Sequence, residues 1–165
     1  FYQFLGFTKS EVAIYTNLYG LSMTIAGGLF GGLLIHRFGI ASMLIAGSIL
    51  APLTNLLFLL LNNVGRDLSF LVLTITADNF TQGFVVVVVI SLLSSIVSKT
   101  YTATQYAGLF LLGTLPSRLI SSSSGFIVDS YGFGDFFILC ALSGVPAILF
   151  TIILVNSSFK LSLKD

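Results

Sequence analysis

The sequence predicts an all-α integral membrane helix bundle with about five transmembrane helices. Of its 165 residues, 56% are hydrophobic and 8% are charged, whereas about a quarter of the residues of a soluble domain carry a charge. The mean hydropathy is +1.05. The apolar residues are also grouped into runs close to or above the roughly 20 residues that a helix needs to cross a bilayer. These observations favour a bundle in lipid over a soluble domain.

The longest apolar run predicts a helix over residues 70–98 that carries an acid, Asp78, at membrane depth. An unpaired carboxylate in hydrocarbon is expensive, so intramembrane acids usually face a protein interior or a wet cavity. Such acids mark pathways for ions or polar substrates. Asp78 is therefore the main candidate functional residue.

The first predicted helix, residues 10–35, follows Thr8 and Glu11, which have the Thr-x-x-Glu spacing of a capping box. It carries two overlapping Gly-x-x-x-Gly pairs, formed by Gly27, Gly28, Gly31 and Gly32. Glycines at this spacing remove side chains along one helix face, so another helix can approach at backbone distance. We expect this face to pack against a neighbouring helix.

The other predicted helices cover residues 41–61, 105–128 and 136–155. Only the short polar stretch 36–39 separates the first helix from the second, and so short a connection makes the two helices antiparallel neighbours. Polar residues occur within these apolar runs, as Asp78 does in its own. The depth of these polar residues in the membrane decides whether they can meet.

Counting from the noncytoplasmic face at the rise of an α-helix, Asp78 lies at roughly 12 Å and Arg118 at roughly 15 Å, and Asn17 and Asn55 are near roughly 10 Å. Four helices thus place polar groups in one slab. One interpretation is a fixed Asp78–Arg118 pair that locks two helices together. The other is a central cavity in which Arg118 holds a substrate carboxylate and Asp78 takes up a proton. The predicted substrate-binding residues are Arg118, Asn79, Gln82, Asn17 and Asn55.

A similar pattern closes the first and the fourth predicted helices. It consists of Gly32, His36, Arg37 and Gly39 in the first case and of Gly125, Asp129 and Gly132 in the second. Both segments place small residues just before a tight polar turn. An offset of three helices is typical of three-plus-three inverted repeats in transporters. The first repeat would then lack its opening helix, which would lie before Phe1. The alternative to a repeat is that the shared pattern reflects only the general enrichment of glycine at helix ends.

Composition and spacing argue against other classes of protein. The net charge is +1, so the sequence offers no basic face for nucleic acid. The single cysteine, Cys140, excludes an internal disulfide and gives no metal-binding spacing. His36, the single histidine, has no carboxylate nearby in sequence. We therefore predict no enzyme activity, no metal site and no cofactor.

Basic residues predict the orientation. One side carries Arg37, Lys99, Lys160 and Lys164, and the other carries Lys9 and Arg66. Because basic residues are enriched in cytoplasmic loops, we expect a cytoplasmic C-terminus.

Five short motifs together resemble a known family. They are Leu-Gly-Phe-Thr-Lys-Ser-Glu at 5–11, Gly-Gly-Leu-Phe-Gly-Gly-Leu-Leu at 27–34, Asp-Asn-Phe-Thr at 78–81, Tyr-Thr-Ala-Thr-Gln-Tyr-Ala at 101–107 and Gly-Phe-Ile-Val-Asp at 125–129. The chain resembles the C-terminal half of major facilitator superfamily transporters, and most closely AmpG-type muropeptide permeases and their acetyl-CoA transporter relatives. The resemblance implies that these glycine-rich helix ends form gating or latch motifs, with Gly32, His36, Arg37 and Gly39 in one and Gly125, Asp129 and Gly132 in the other. The chain departs from the superfamily's latch motif at His36, where that motif usually has an acid.

The resemblance implies a C-terminal bundle that lacks its first helix and pairs with an absent N-terminal six-helix bundle. It further implies proton-coupled import of anhydro-muropeptides, which are small sugar-peptides, across a bacterial inner membrane for cell-wall recycling. One alternative is a carrier of another polar or anionic solute such as acetyl-CoA. A second is a membrane scaffold that does not transport and binds partner helices through its glycine faces.

Overall fold

The computed structural model describes residues 1–97 and 102–157. Within these ranges the chain forms helices joined by turns, without a strand, so the predicted all-α class is confirmed. The elements are α1 (Lys9–Val12), a π-helical segment (Ala13–Tyr19), α2 (Gly20–Val64), α3 (Leu68–Ile96), α4 (Thr102–Ser122) and α5 (Ser124–Asn156). Three of the residues that predict the orientation, Lys99, Lys160 and Lys164, lie outside the described residues, as does Tyr101 of the motif at 101–107.

Three helical stretches of the described residues are long and apolar enough to cross a membrane: Lys9–Val64, Leu68–Ile96 and Ser124–Asn156. The chain is therefore a membrane helix bundle, as predicted. The first stretch has 56 residues. At the rise of an α-helix it would measure about 84 Å, more than twice the roughly 30 Å of a hydrocarbon core. It is long enough for two passages.

Two glycines bend the long helices at the ends of the repeated motifs. Gly39 in α2 has φ 81° and ψ 159°, and Gly132 in α5 has φ 83° and ψ 173°. Only glycine adopts this region without strain, because a Cβ would collide with the backbone. The two motifs therefore end in the same backbone conformation, and at both places the chain changes direction.

We expect Gly39→Ala to lower the free energy of unfolding by about 1–3 kcal/mol, the cost of holding a non-glycine residue in this region. The change can be measured by titrating the micelle-embedded chain with SDS and following its helicity. Gly32→Ala is the matched control, because Gly32 is helical and an added Cβ would meet no atom within 4 Å. Equal destabilisation by both variants would contradict the assigned role of Gly39.

The capping box predicted before the first helix is present. Thr8 Oγ1 accepts the Glu11 backbone N–H at 3.2 Å, and the Glu11 carboxylate accepts the Thr8 backbone N–H at 2.7 Å. The Arg66 guanidinium, from the turn between α2 and α3, donates to the other oxygen of Glu11 at 3.3 Å. This ion pair lies at the surface, so it ties the start of the first helix to the following turn with little gain in stability.

α2 and α3 pack with their backbones in contact. A Cβ added to Gly27 would overlap the carbonyl oxygen of Phe80, and a Cβ added to Gly83 would overlap the carbonyl oxygen of Thr24. The contact is reciprocal, because each helix supplies one glycine and one carbonyl. The glycine face predicted from sequence therefore packs against α3.

Two apolar clusters surround this contact. One contains Phe7, Leu61, Leu71 and Ile75, and the other contains Met43, Phe84 and Val88. α5 packs on the other side of α2, where Gly144 lies against the Pro52 ring. α4, in contrast, meets the other described helices only slightly, and most of its described apolar side chains are exposed. The described core is thus made mainly by α2, α3 and α5, with Phe7 added from the segment before α1.

Candidate functional site

Asp78 lies on α3 and is hydrogen-bonded across the helix interface to α2. The Thr54 hydroxyl donates to Asp78 Oδ1 at 3.1 Å. Thr54 is buried, with 6% of its surface exposed, and Asp78 is half-buried. The acid predicted at membrane depth therefore faces a neighbouring helix and has a polar partner there.

Local geometry around Pro52 presents the Thr54 hydroxyl to Asp78. Thr54 Oγ1 lies 2.9 Å from the Ala51 carbonyl oxygen, which also accepts the Asn55 side-chain amide at 3.2 Å. A hydroxyl has a single hydrogen and can donate to one acceptor at a time. Because the Asn55 side-chain amide already donates to the Ala51 carbonyl oxygen, the Thr54 hydrogen can be directed to Asp78.

Tyr2 is a second neighbour of Asp78, from the segment that precedes α1. Its ring centroid lies 6.5 Å from that of Phe58 in α2. Burial and, to a lesser extent, the negative charge of Asp78 raise the pKa of Tyr2 to about 12. The Tyr2 side chain therefore lies on the same side of the bundle as the acid.

Residues Phe1–Phe7 are held at this end of the bundle by aromatic contacts. The Phe1 ring lies 6.2 Å from Phe58 and 4.9 Å from Phe137, measured between centroids. Phe7 is buried against the start of α3. The segment thus covers the bundle near the first turns of α3, above Asp78.

Asn79 contacts the half of α2 that precedes the Gly39 bend. The Thr24 hydroxyl lies 3.0 Å from the Gly20 carbonyl oxygen and 3.3 Å from Asn79 Oδ1, and Asn79 Nδ2 donates to the Ile75 carbonyl oxygen at 3.0 Å. One turn earlier, the hydroxyls of Tyr19 and Thr76 are 2.8 Å apart. Asn79 therefore lies within the α2–α3 interface, where both functional atoms of its amide are engaged.

The other predicted site residues are not brought together in the same way. Gln82, Asn17 and Arg118 all have exposed side chains. In the part of the chain that the structure describes, the ion pair is Arg66–Glu11, and none joins Arg118 to Asp78. A fixed Asp78–Arg118 pair is therefore not formed within the described residues.

Asn55 lines a cavity of about 380 Å³ between α2, α3 and α5. The polar side chains that line this cavity include Ser48 on α2 and Ser143 on α5, and Cys140 lines it as well. Most of the lining is apolar, from residues such as Val88. Asn55 thus points to a different part of the bundle interior from Thr54, its neighbour in sequence.

The predicted latch residues lie at exposed positions near the two bends. His36, Arg37 and Asp129 are exposed, and the Arg37 guanidinium carbon lies 5.4 Å from the Phe38 ring centroid. A Cβ added to Gly32 or Gly125 would meet no atom within 4 Å. These surfaces are open in the described part of the chain.

Three residues were not among the predicted site residues: Thr54, Thr24 and Tyr2. The predicted contacts came from charged and amide side chains, whereas hydroxyl groups bridge α2 and α3 in the structure. The available signal was Thr54 itself, a polar residue two positions after Pro52 in an apolar run. A hydroxyl in such a run can donate its hydrogen bond to a backbone carbonyl of its own helix, so the sequence does not reveal when it also binds another helix.

Curated proteins give the clearest comparison, since no protein-family model matches the chain. A protein of Rickettsia conorii named as a transporter, AmpG 4, is 33% identical over 157 residues, which are 95% of this chain and 38% of that protein. The AmpG 3 transporter of Rickettsia prowazekii is 34% identical over 82% of this chain and 32% of its own length. The anhydromuropeptide permease of Escherichia coli is 26% identical over 90% of this chain and 30% of its own length.

The apolar helices define an α-helical integral membrane protein, and its sequence is similar to proteins that are named as transporters. More particularly, the chain resembles AmpG-type permeases along nearly its whole length, which confirms the resemblance expected from its motifs. It spans less than two fifths of the length of these relatives, as the 38% coverage shows.

Proposed function

We propose that the chain is the C-terminal part of a secondary transporter that imports anhydro-muropeptides across a bacterial inner membrane. The observation that carries the proposal is Asp78, an acid placed between two apolar helices and hydrogen-bonded there. The similarity to the anhydromuropeptide permease supports the substrate class. In this proposal the chain crosses the bilayer five times, ends in the cytoplasm and completes its cavity with an N-terminal six-helix bundle and one further helix.

Asp78 is the proposed proton site. Oδ1 accepts the Thr54 hydroxyl, whereas Oδ2 accepts no hydrogen bond from the described residues. A carboxylate with one held and one open oxygen can take up a proton without breaking its contact with α2. Loss of the negative charge makes the group less costly to move through a dry interface.

The proposed substrate contacts are the remaining polar residues of the slab. Exposed Arg118, Gln82 and Asn17 are available to a substrate or to the rest of the transporter, since they point away from the described core. Arg118 offers a planar fork that matches a carboxylate of a peptide. Asn55 and Asn79 would act from within the bundle. The predicted contacts therefore include both surface and interior side chains.

The bends support a gating role for the two repeated motifs. His36 and Arg37 precede Gly39, and Asp129 precedes Gly132, so polar side chains flank both bends. In the proposal these motifs bind and release the other bundle as the two halves rock. Asp129 supplies an acid at its bend, whereas the first motif has His36 at the corresponding place.

Transport in proteoliposomes tests the proposal. A transporter that carries this chain as its C-terminal part should accumulate labelled anhydro-muropeptide when the outside is made acidic, and a protonophore should abolish the accumulation. Excess acetyl-CoA should not compete. Residues 1–165 alone should not accumulate the solute, because part of the cavity wall is absent. Accumulation that is indifferent to the proton gradient, or competition by acetyl-CoA, would overturn the proposal.

A further inference from the structure

We infer that Thr54 is a positioning residue for Asp78, one that holds Oδ1 of the carboxylate against α2 and leaves Oδ2 without a hydrogen bond from the described residues. The inference rests on the proposed function, in which Asp78 carries the proton. Thr54 binds neither substrate nor proton in this assignment. It acts by fixing where the acid points.

The placement of the pair supports this role. Thr54 is one of the few buried polar side chains among the described residues, and its hydroxyl lies 3.1 Å from the carboxylate. Backbone contacts at Gly27 and Gly83 fix α3 against the other half of α2. Asp78 lies only five residues before Gly83, so this close contact limits the movement of its part of α3.

The hydrogen count allows the contact to persist in both protonation states. When Asp78 is ionised, the Thr54 hydrogen points to Oδ1 and the Asn55 amide donates to the Ala51 carbonyl. When Asp78 takes up a proton on Oδ2, Oδ1 becomes the carbonyl oxygen of the acid and still accepts the Thr54 hydrogen. The hydrogen bond keeps its direction, and its two atoms stay in place.

The other groups near Asp78 do not bind it to α2. Tyr2 is the other described side chain shown to interact with Asp78, and it comes from the segment before α1. Thr74, one turn before Asp78, is fully buried but donates to the Phe70 carbonyl on its own helix at 2.8 Å. Thr54 is therefore the hydroxyl through which the acid is bound to α2.

Labelling of Asp78 by a hydrophobic carbodiimide tests the assignment in the full chain reconstituted into lipid nanodiscs. A carboxyl oxygen adds to the carbodiimide carbon, a carbodiimide nitrogen takes the carboxyl proton, and the adduct rearranges to a stable N-acylurea that mass spectrometry locates. We expect Thr54→Val to label at Asp78 about tenfold faster, the factor that corresponds to loss of one hydrogen bond to a charged group. Asp78→Asn should carry no label at this position.

A series of Thr54 variants separates positioning of Asp78 by the hydroxyl from packing of the Thr54 side chain. Thr54→Ser keeps the hydroxyl and should label at the wild-type rate, whereas Thr54→Cys, a weaker donor, should fall between serine and valine. Thr74→Val is the matched control, because it removes a buried hydroxyl that does not bind Asp78. Helicity by circular dichroism reports whether each variant folds. If Thr54→Val does not fold, the comparison of Thr54→Ser with Thr54→Cys tests the role of the hydroxyl.

The outcomes separate this inference from the proposed function, because labelling needs no transport. Equal labelling of the wild-type chain and Thr54→Val, or faster labelling of Thr54→Ser to the level of Thr54→Val, would overturn the role of Thr54 even if proton-driven uptake is observed. Absence of uptake with the expected labelling series would overturn the proposed function and leave the assignment of Thr54 in place.

Discussion

Gly27→Ala is expected to force α2 away from α3 and to lower the free energy of unfolding by about 3 kcal/mol or more, at the upper end of the range for overpacked interiors. The added Cβ would overlap the carbonyl oxygen of Phe80. A helix carbonyl cannot rotate aside as a flexible side chain can, so the two helices must separate along this contact. Gly83→Ala is expected to have the same effect, because its Cβ would overlap the carbonyl oxygen of Thr24.

Unfolding in mixed micelles, followed by circular dichroism, measures this effect. Gly28→Ala is the matched control in the same helix, since its Cβ would come within 3.3 Å of a Val87 methyl group, which belongs to a side chain that can adjust. We expect the control to lose less than about 1 kcal/mol. If Gly28→Ala were as damaging as Gly27→Ala, the backbone contact would not be what joins these helices.

The double variant Gly27→Ala with Gly83→Ala tests whether the two contacts act as one. Both glycines lie on the same interface, so a separation forced by the first substitution makes room for the second. We expect the double variant to be only slightly less stable than either single variant. Full additivity would indicate two independent contacts.

Much of the helix pairing was accessible from the sequence, but its detail was not. Overlapping Gly-x-x-x-Gly pairs predicted a face for close approach, and α3 packs there. The same pattern offered two adjacent stripes, one through Gly27 and Gly31 and the other through Gly28 and Gly32. The structure uses the first most closely and leaves Gly32 open. Neighbouring stripes of one helix are alike in sequence, so only the partner helix selects between them.

The sequence predicted a common depth for the candidate site residues, but it did not predict which side of the bundle each one faces. The rise of a helix gives the height of Asp78 and of Arg118, and this is why the sequence placed them in one slab. Height does not say which side of the bundle a residue faces or which helices are neighbours. Arg118 is exposed on α4, which meets the other described helices only slightly, whereas Asp78 binds α2 through Thr54.

A second substitution, Asp78→Asn, is expected to abolish proton-driven accumulation while leaving exchange of solute across the membrane. Asparagine has the shape of aspartate and can still accept the Thr54 hydroxyl, but it carries no exchangeable charge. A gradient of one pH unit coupled to one proton can support about a tenfold concentration ratio. Without the coupled proton the ratio should fall to about one, the value at which solute is equally concentrated on both sides.

Uptake and counterflow in the same proteoliposomes separate these two activities. Asp67→Asn is the matched control: Asp67 caps α3 by accepting the Phe70 N–H at 2.9 Å, and asparagine caps a helix equally well. We expect that control to accumulate solute at the wild-type ratio. Concentrative uptake by Asp78→Asn would place the proton elsewhere. Loss of counterflow as well as uptake would mean that Asp78 holds the structure or the substrate, since an acid needed only for coupling is dispensable for exchange.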